Sequence, residues 1–404
     1  LANRAAAWLT YIALVVGIGT LVVWLLLGQT TSFAIERMVT VMVVACPHAL
    51  GLAVPLVVAV STSLSAGNGL LIRDRAAFER ARNLNAVVFD KTGTLTEGRF
   101  GVSDIVLIGE GDENLELAFA AAAESQSEHP IAHGIVAEAK DRGLSWPKAS
   151  EVRNITGEGI VANVDGEDIR IVSPGHLSRT SKEISHPRLK KLENQGKTVV
   201  VLVRGGAPRA LFALADIVRP ESKQAITELK SLGIDSIMLT GDARGVAQAV
   251  SEELGITEYF AEVLPNEKSE KIEELQSRGL AVAMVGDGVN DAPALVVADL
   301  GIAIGAGTDV AVESADIVLV RSDPSDVVAI IGLSRATYRK MVQNLLWATG
   351  YNTVAIPMAA GITFGTGFLM TPAVAAALMS VSTVIVALNA QLLRFYRGRR
   401  GAEA

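Results

Sequence analysis

Ala86-Val87-Val88-Phe89-Asp90-Lys91-Thr92-Gly93-Thr94-Leu95-Thr96 is the stretch whose reading decides the fold. Four apolar residues running into an acid and a glycine-containing turn predict a buried parallel strand with a carboxylate at its C-terminal end. In open α/β sheets that end is where ligands and chemistry gather. A carboxylate placed there suits nucleophilic attack on a phosphoryl group, which splits one difficult transfer into two steps. Small hydroxyl residues and Gly93 let side-chain oxygens and backbone N–H groups approach phosphate closely. Alone, an Asp-x-Thr is more often a turn or a helix cap than a nucleophile. The decision therefore rests on what stands at the other strand ends.

Residues 211–215, 237–240, 282–285 and 300–304 are further short apolar runs. Helical patterns such as 221–232 and 246–254 separate them, which is the alternation of a parallel α/β sheet. Thr240-Gly241-Asp242 ends one run, Gly286-Asp287-Gly288-Val289-Asn290-Asp291 ends another, and Lys268 lies between them. Taken singly these are common turns and a surface lysine. Taken together, in the order nucleophile, hydroxyl, lysine and acid pair, they predict a phosphoryl-transfer site. Such a reaction needs positioning and charge neutralisation more than covalent help. Asp90 and Asp287 offer hard oxygen ligands for Mg²⁺, and Asn290 and Asp291 can orient that shell. Lys268 supplies a point charge and Thr240 a hydrogen bond to phosphoryl oxygens. Residues 101–213 break the rhythm: two helical stretches, 115–123 and 130–142, precede β-branched alternation and Gly turns at 152–172 and 198–203. They predict a separate α+β domain inserted after the first strand.

Half of the 404 residues are apolar, and the mean hydropathy of +0.37 is high for an ordinary soluble enzyme. The net charge of -7 gives no electrostatic case for nucleic acid, and one cysteine excludes an internal disulfide. Residues 8–27 are uncharged and long enough to cross a bilayer as a helix. Residues 38–72 hold a second span and 341–393 room for two more, turning near 365–372. Basic residues flank the apolar stretches (Arg4, Arg73, Arg75, Arg335, Arg339, Lys340 and the tail from Arg394), whereas the connectors 28–32 and 364–372 are uncharged. The positive-inside rule then puts both termini and the large insert in the cytoplasm. Pro47 interrupts the second span and frees backbone carbonyls; Cys46 and His48 beside it suit copper or zinc better than calcium. The ordinary roles of such residues are packing for a membrane cysteine and an interhelical hydrogen bond for a histidine.

The run DKTGTLT at 90–96 resembles the phosphorylation motif of P-type ATPases, within the haloacid-dehalogenase-like superfamily. The resemblance implies an α/β haloacid-dehalogenase-like phosphorylation domain (73–100 and 214–334) with an inserted α+β nucleotide-binding domain (101–213). Four transmembrane α-helices complete it, two in 1–72 and two in 335–404 before a basic cytoplasmic tail. It makes the Thr92 carbonyl the third protein ligand to Mg²⁺. Glu124, Ser127-Glu128-His129-Pro130 and Gly157-Glu158-Gly159 are similar to the nucleotide pocket of heavy-metal P-type ATPases, where the histidine packs on adenine. Alone, His129 reads as a surface histidine at a helix start. Cys46-Pro47-His48, the set Asn344, Tyr351, Asn352 and Pro357, and Met379-Ser380-Val381-Ser382-Thr383 before Asn389-Ala390 are similar to the Cys-Pro-His subgroup, associated with copper export. That subgroup makes Cys46, His48, Tyr351, Asn352, Met379 and Ser380 the set for the transported ion.

Two motifs are decoys. Residues 191–198 imitate a Walker loop but lack its first glycine, and Thr156-Gly157-Glu158 imitates a dephosphorylation loop from inside the nucleotide region. Complete family members carry further helices before Trp8 and an actuator domain. The expectation is a C-terminal portion of an ATP-driven copper exporter in a bacterial plasma membrane, forming a slowly decaying aspartyl phosphate. The partners implied are ATP, a transition-metal ion, the lipid bilayer and a metal chaperone, with no nucleic acid. Rival readings are a zinc, silver or cadmium cargo, a membrane-tethered phosphatase, and a non-enzymatic metal-sensing or channel fragment. The phosphatase reading suffers from the lack of an acid at position 92.

Overall fold

The computed structural model describes residues 2–46, 48–155, 159–180, 186–305 and 309–395. It divides into two compact units, Asn83–Val328 and the combination of Leu1–Arg82 with Ala329–Ala404.

The first unit contains two sheets. In the parallel sheet, its strands lie in the order Ile317–Leu319, Leu300–Ile304, Val282–Gly286, Ala86–Asp90, Asp235–Leu239 and Glu258–Phe260. Every neighbouring pair among them is parallel. Ala86–Asp90 is buried along its whole length. It pairs with Val282–Gly286 on one side and Asp235–Leu239 on the other. A strand so placed is covered on both faces and has no open edge, which is why it reads as an unbroken apolar run. Helices Pro220–Ser231, Arg244–Leu254, Lys268–Ser277 and Ala292–Val297 make the crossovers.

The inserted domain is a six-stranded antiparallel sheet in the order Thr96–Leu107, Ala207–Val218, Thr198–Arg204, Glu167–Val172, Gly159–Val164 and Ala149–Ile155. Here one expectation fails. Residues 211–215 belong to this sheet and not to the parallel one, since Ala207–Val218 pairs antiparallel with both Thr96–Leu107 and Thr198–Arg204. The physical reason is burial on both faces. Val200, Leu202, Ala210, Phe212 and Leu214 pack with helices Glu113–Glu124 and Pro130–Asp141. Val199, Val201, Val203, Leu211 and Ala213 pack with Leu189 and Leu192 on the opposite face. A sandwiched antiparallel strand carries the same apolar run as a parallel one, and periodicity cannot separate them.

The second unit is helical. Helix Ala2–Leu26 is followed by Thr31–Val44, whose start is capped by Thr30 accepting from the Phe33 N–H. The helix ends at Val44, and a new one runs His48–Gly67. The break falls at the Cys46-Pro47-His48 triplet, of which Pro47 lies outside the described residues. Ser325–Ala360 and Pro372–Gln391 complete the unit. Among the described residues three stretches are long and apolar enough to cross a membrane: Ala7–Leu26, Thr31–Gly67 and Pro372–Phe395. The third expected span, the uncharged second half of Ser325–Ala360, is not one of these, because Asn344, Tyr351 and Asn352 dilute its hydropathy.

Candidate active site

The Asp90 carboxylate leaves the centre of the parallel sheet at its C-terminal edge and is 6% exposed. Lys268, at the start of Lys268–Ser277, sets its Nζ 2.5 Å from Asp90 Oδ1 and 2.6 Å from Asp291 Oδ1. Asp90, Asp287 and Asp291 place ligand-capable oxygens within 4.8 Å of one another. Three carboxylates thus cluster around one lysine, and burial together with their mutual repulsion acts on Asp90 and Asp287. Burial pushes Asp90 up to about 7, assisted by repulsion from Asp291 and opposed by Lys268. Burial raises Asp287 as well, again with Asp291 adding to it. Burial works against the Lys268 charge, but Asp90 and Asp291 outweigh it and hold the ammonium above its usual range.

An acid cluster of this kind fits a divalent cation with hard oxygen preferences, such as Mg²⁺. Asp291 is already engaged: its Oδ1 meets Lys268, and its Oδ2 accepts from the Gly288 N–H at 3.3 Å. That leaves the Asp90 and Asp287 carboxylates as the ones that could hold such a cation. Asn290 is exposed on the adjoining turn and Thr92 on the loop after Asp90.

Glycine at position 93 is required twice over. Its φ of +75° lies in the left-handed region, and a Cβ there would overlap the Asp287 carboxylate. The loop can lie against Asp287 only because that side chain is missing. Thr240 is 2% exposed, and its hydroxyl accepts from the Asp242 N–H at 3.1 Å, which closes the Thr240-Gly241-Asp242 turn.

Four residues that the strand-end reading left without a role complete the cradle. Lys91 is buried, with Nζ 3.0 Å from both Asp216 and Asp242. Burial opposes its charge, and the two carboxylates more than offset that, raising its pKa. The Thr96 hydroxyl donates to Asp216 Oδ2 at 2.5 Å. Arg219 donates to the Gly93 carbonyl at 3.0 Å and to the Thr94 carbonyl at 3.2 Å, gripping the loop after Asp90 from outside. The signal for Asp216 and Arg219 was available: they follow an apolar strand and precede Pro220, the same strand-end pattern that singles out Asp90.

In the inserted domain Glu124 is 6% exposed, and burial lifts its pKa to about 7 against a Ser127 hydrogen bond that lowers it. His129 is the N-cap of Pro130–Asp141, its Nδ1 accepting from the Ile131 N–H at 3.2 Å. That bond fixes the ring and assigns the proton to Nε2. Gly159 has φ +148°, and a Cβ there would overlap the Ile171 carbonyl of the neighbouring strand. Sheet packing alone therefore demands a glycine at 159. Gly157 and Glu158 lie outside the described residues.

In the helical unit Cys46 and His48 are both exposed at the helix break. The Tyr351 hydroxyl donates to the Val44 carbonyl at 3.0 Å, where the first half-helix ends. Asn352 is 2% exposed; its Nδ2 donates to the Ala348 carbonyl at 3.3 Å, while its buried Oδ1 has no partner. Met379 is half-buried. Ser380 is exposed and its hydroxyl returns to the Ala376 carbonyl at 3.0 Å, whereas Ser382 is buried. Successive helical residues point about 100° apart, so Met379 and Ser380 do not share a face, and Ser382 is the inward serine of the motif.

A haloacid dehalogenase-like hydrolase family model matches residues 84–299. The chain is 61% identical over 394 residues to a copper-exporting P-type ATPase B of Archaeoglobus fulgidus, covering 98% of this chain and 57% of that protein. It is 47% identical over 395 residues to a copper-exporting P-type ATPase B of Enterococcus hirae, covering 98% of this chain and 53% of the relative. It therefore spans little more than half the length of these curated relatives. A solved zinc-transporting PIB-type ATPase in an E2·Pi state superposes with a TM-score of 0.78 at 35% identity, over 97% of this chain and 62% of the other. The parallel sheet with Asp90 at its centre and the matched residues 84–299 agree: the chain belongs to the haloacid dehalogenase-like hydrolase family and is homologous along its length to P-type ATPases of the copper-exporting B group.

Proposed function

We propose that this chain carries the phosphorylated head and membrane helices of an ATP-driven pump that exports a soft transition-metal ion, copper foremost, through an aspartyl phosphate on Asp90. The observation that carries the reading is the Lys268 ammonium held between Asp90 and Asp291 beside Asp287. An Asp90 oxygen attacks the γ-phosphorus of ATP as the bond to ADP breaks, and Lys268 passes its charge to the phosphoryl oxygens. Thr240 adds a hydrogen bond, and Arg219 holds the Gly93 and Thr94 carbonyls so that the loop N–H groups face the phosphate. Asp90, Asp287 and the Thr92 carbonyl would hold Mg²⁺, which neutralises charge on the phosphate oxygens when bound. Asn290 and Asp291 orient that shell. Glu124 and His129 line the nucleotide site, with Gly159 at the start of the strand beside it.

The cargo reading draws on the names of the relatives, on a thiol and an imidazole flanking a helix break, and on the unpartnered Asn352 Oδ1. Cys46 and His48 are the soft donors, with Asn352, Met379 and Tyr351 around them. Ser382 is a better candidate than Ser380. A bacterial plasma membrane location, with a metal chaperone delivering the ion to the cytoplasmic side, completes the reading. The test is labelling with γ-labelled ATP. We expect an acid-stable phosphoenzyme whose formation depends on copper and disappears in Cys46→Ser and in His48→Ala, with ATP affinity kept in both. Labelling driven equally by zinc would change the cargo, and metal-independent labelling that turns over small phosphate esters would favour the phosphatase reading.

A further inference from the structure

The Walker-like stretch at 191–198 lacks the first glycine of a phosphate loop, and its surroundings give it a different task. Helix Pro187–Asn194 of the inserted domain ends in a left-handed glycine: Gly196 has φ +70°, its N–H donates to the Glu193 carbonyl at 2.8 Å, and the Lys197 N–H donates to the Leu192 carbonyl at 3.2 Å. This C-terminal turn seats against the start of helix Arg244–Leu254, the helix that follows Thr240-Gly241-Asp242. A Cβ on Gly245 would overlap the Asn194 carbonyl oxygen, and one on Gly196 would overlap the Val246 side chain. The receiving helix start has no side-chain cap, its N-cap being Ala243. The carbonyl end of one helix thus abuts the N–H end of another, the favourable order for their dipoles. Lys197, the would-be phosphate lysine, is committed to Asp104 at 2.5 Å.

We propose that Gly196 and Gly245 are positioning residues for phosphoryl transfer: the absence of a side chain on either lets Asn194 and Val246 seat closely, which sets the inserted domain at the correct distance from the Thr240-Gly241-Asp242 turn. The inference rests on the reading of Asp90 as the residue that ATP phosphorylates. In that step the bond from the γ-phosphorus to ADP breaks, ADP leaves with its electron pair, and a bond from phosphorus to an Asp90 oxygen forms. Only ATP needs the inserted domain for delivery. A small donor such as acetyl phosphate reaches Asp90 directly, releasing acetate, and does not depend on the seat.

The experiment compares the two donors on the purified chain carrying Gly245→Ala, with Val246→Ala as a second variant that loosens the same contact. Alanine is the better helix former, so Gly245→Ala does not weaken its own helix. We expect labelling from γ-labelled ATP to slow by on the order of tenfold or more, because an ångström of misplacement can cost about a hundredfold. Labelling from acetyl phosphate and equilibrium ATP affinity should stay at wild-type levels. Unchanged ATP labelling, or an equal loss with both donors, overturns the proposal. A wild-type chain that neither donor labels at Asp90 would instead sink the reading on which it rests.

Discussion

The two units satisfy their buried polar groups in opposite ways. In the catalytic unit charged side chains answer one another: Lys268 sits between Asp90 and Asp291, and Lys91 between Asp216 and Asp242. In the helical unit neutral side chains answer the backbone. Asn344 donates to the Ala53 and Val386 carbonyls at 3.1 and 3.2 Å, Tyr351 to Val44, and Trp24 to Ala360 at 2.7 Å. Arg37, 1% exposed, does both: one nitrogen goes to the Met370 carbonyl and another pairs with Glu36. Charge clusters respond to protons and cations, so they can be switched by substrate. Bonds from neutral groups to carbonyls respond to helix geometry and ignore pH. On the proposed reading, the chemistry belongs in the first kind of environment, and the path of an ion through an apolar medium in the second.

The comparison breaks first at its strongest point. Asp90→Asn should abolish labelling from ATP while leaving nucleotide affinity near the wild-type value, since only the nucleophile is removed; a labelled Asp90→Asn chain would refute the catalytic assignment. Lys268→Met comes next. Loss of a preorganised charge at the phosphoryl group should slow labelling by about 10²–10³-fold, and the rapid-quench rate measures it. Asp90 must be ionised to attack, and burial holds it near 7. Labelling at limiting Mg²⁺ should therefore fall as the pH drops below about 7, and added Mg²⁺ should extend it to lower pH.

Glu124 sharpens the contrast from the side of stability. Burial lifts its carboxyl to about 7 in the folded protein, from an ordinary 4.5. The folded protein keeps a proton that the unfolded chain releases, so the inserted domain loses stability as the pH rises between those values and levels off above them. The loss is about 3 kcal/mol at most. Urea unfolding across that window measures it, and Glu124→Gln should flatten the curve. The smallest effect is expected for Tyr351→Phe, which removes one hydrogen bond to a carbonyl and should cost about 1 kcal/mol. Thermal unfolding in detergent should show that cost to be independent of pH; a pH-dependent cost would mean the helical unit is not of the second kind.

Much of this was legible in the sequence, for identifiable reasons. Asp90, Asp287 and Asp291 announced themselves because each stands at a turn after an apolar run, and Lys268 because it lies between two such ends that the sheet brings together. The helix break at Cys46 was legible because proline cannot continue the ladder. Residues 211–215 misled because burial on both faces erases the alternation that marks an antiparallel strand. Lys91 gained no role from sequence because its partners, Asp216 and Asp242, come from segments that only the fold brings together. Ser380 was named for its place in a motif, where helical geometry favours Ser382.

The central position of Ala86–Asp90 has a consequence for synthesis. Both of its neighbours, Asp235–Leu239 and Val282–Gly286, lie beyond the entire inserted domain in the chain. As the polypeptide emerges, this central strand appears before both of its neighbours and lacks them until the insert has been made. The insert closes mostly on itself through adjacent antiparallel strands and can fold while that strand waits. Such late, long-range pairing is slow and leaves a sticky edge exposed. Nascent chains halted before Asp235 should thus be the ones that chaperones hold longest.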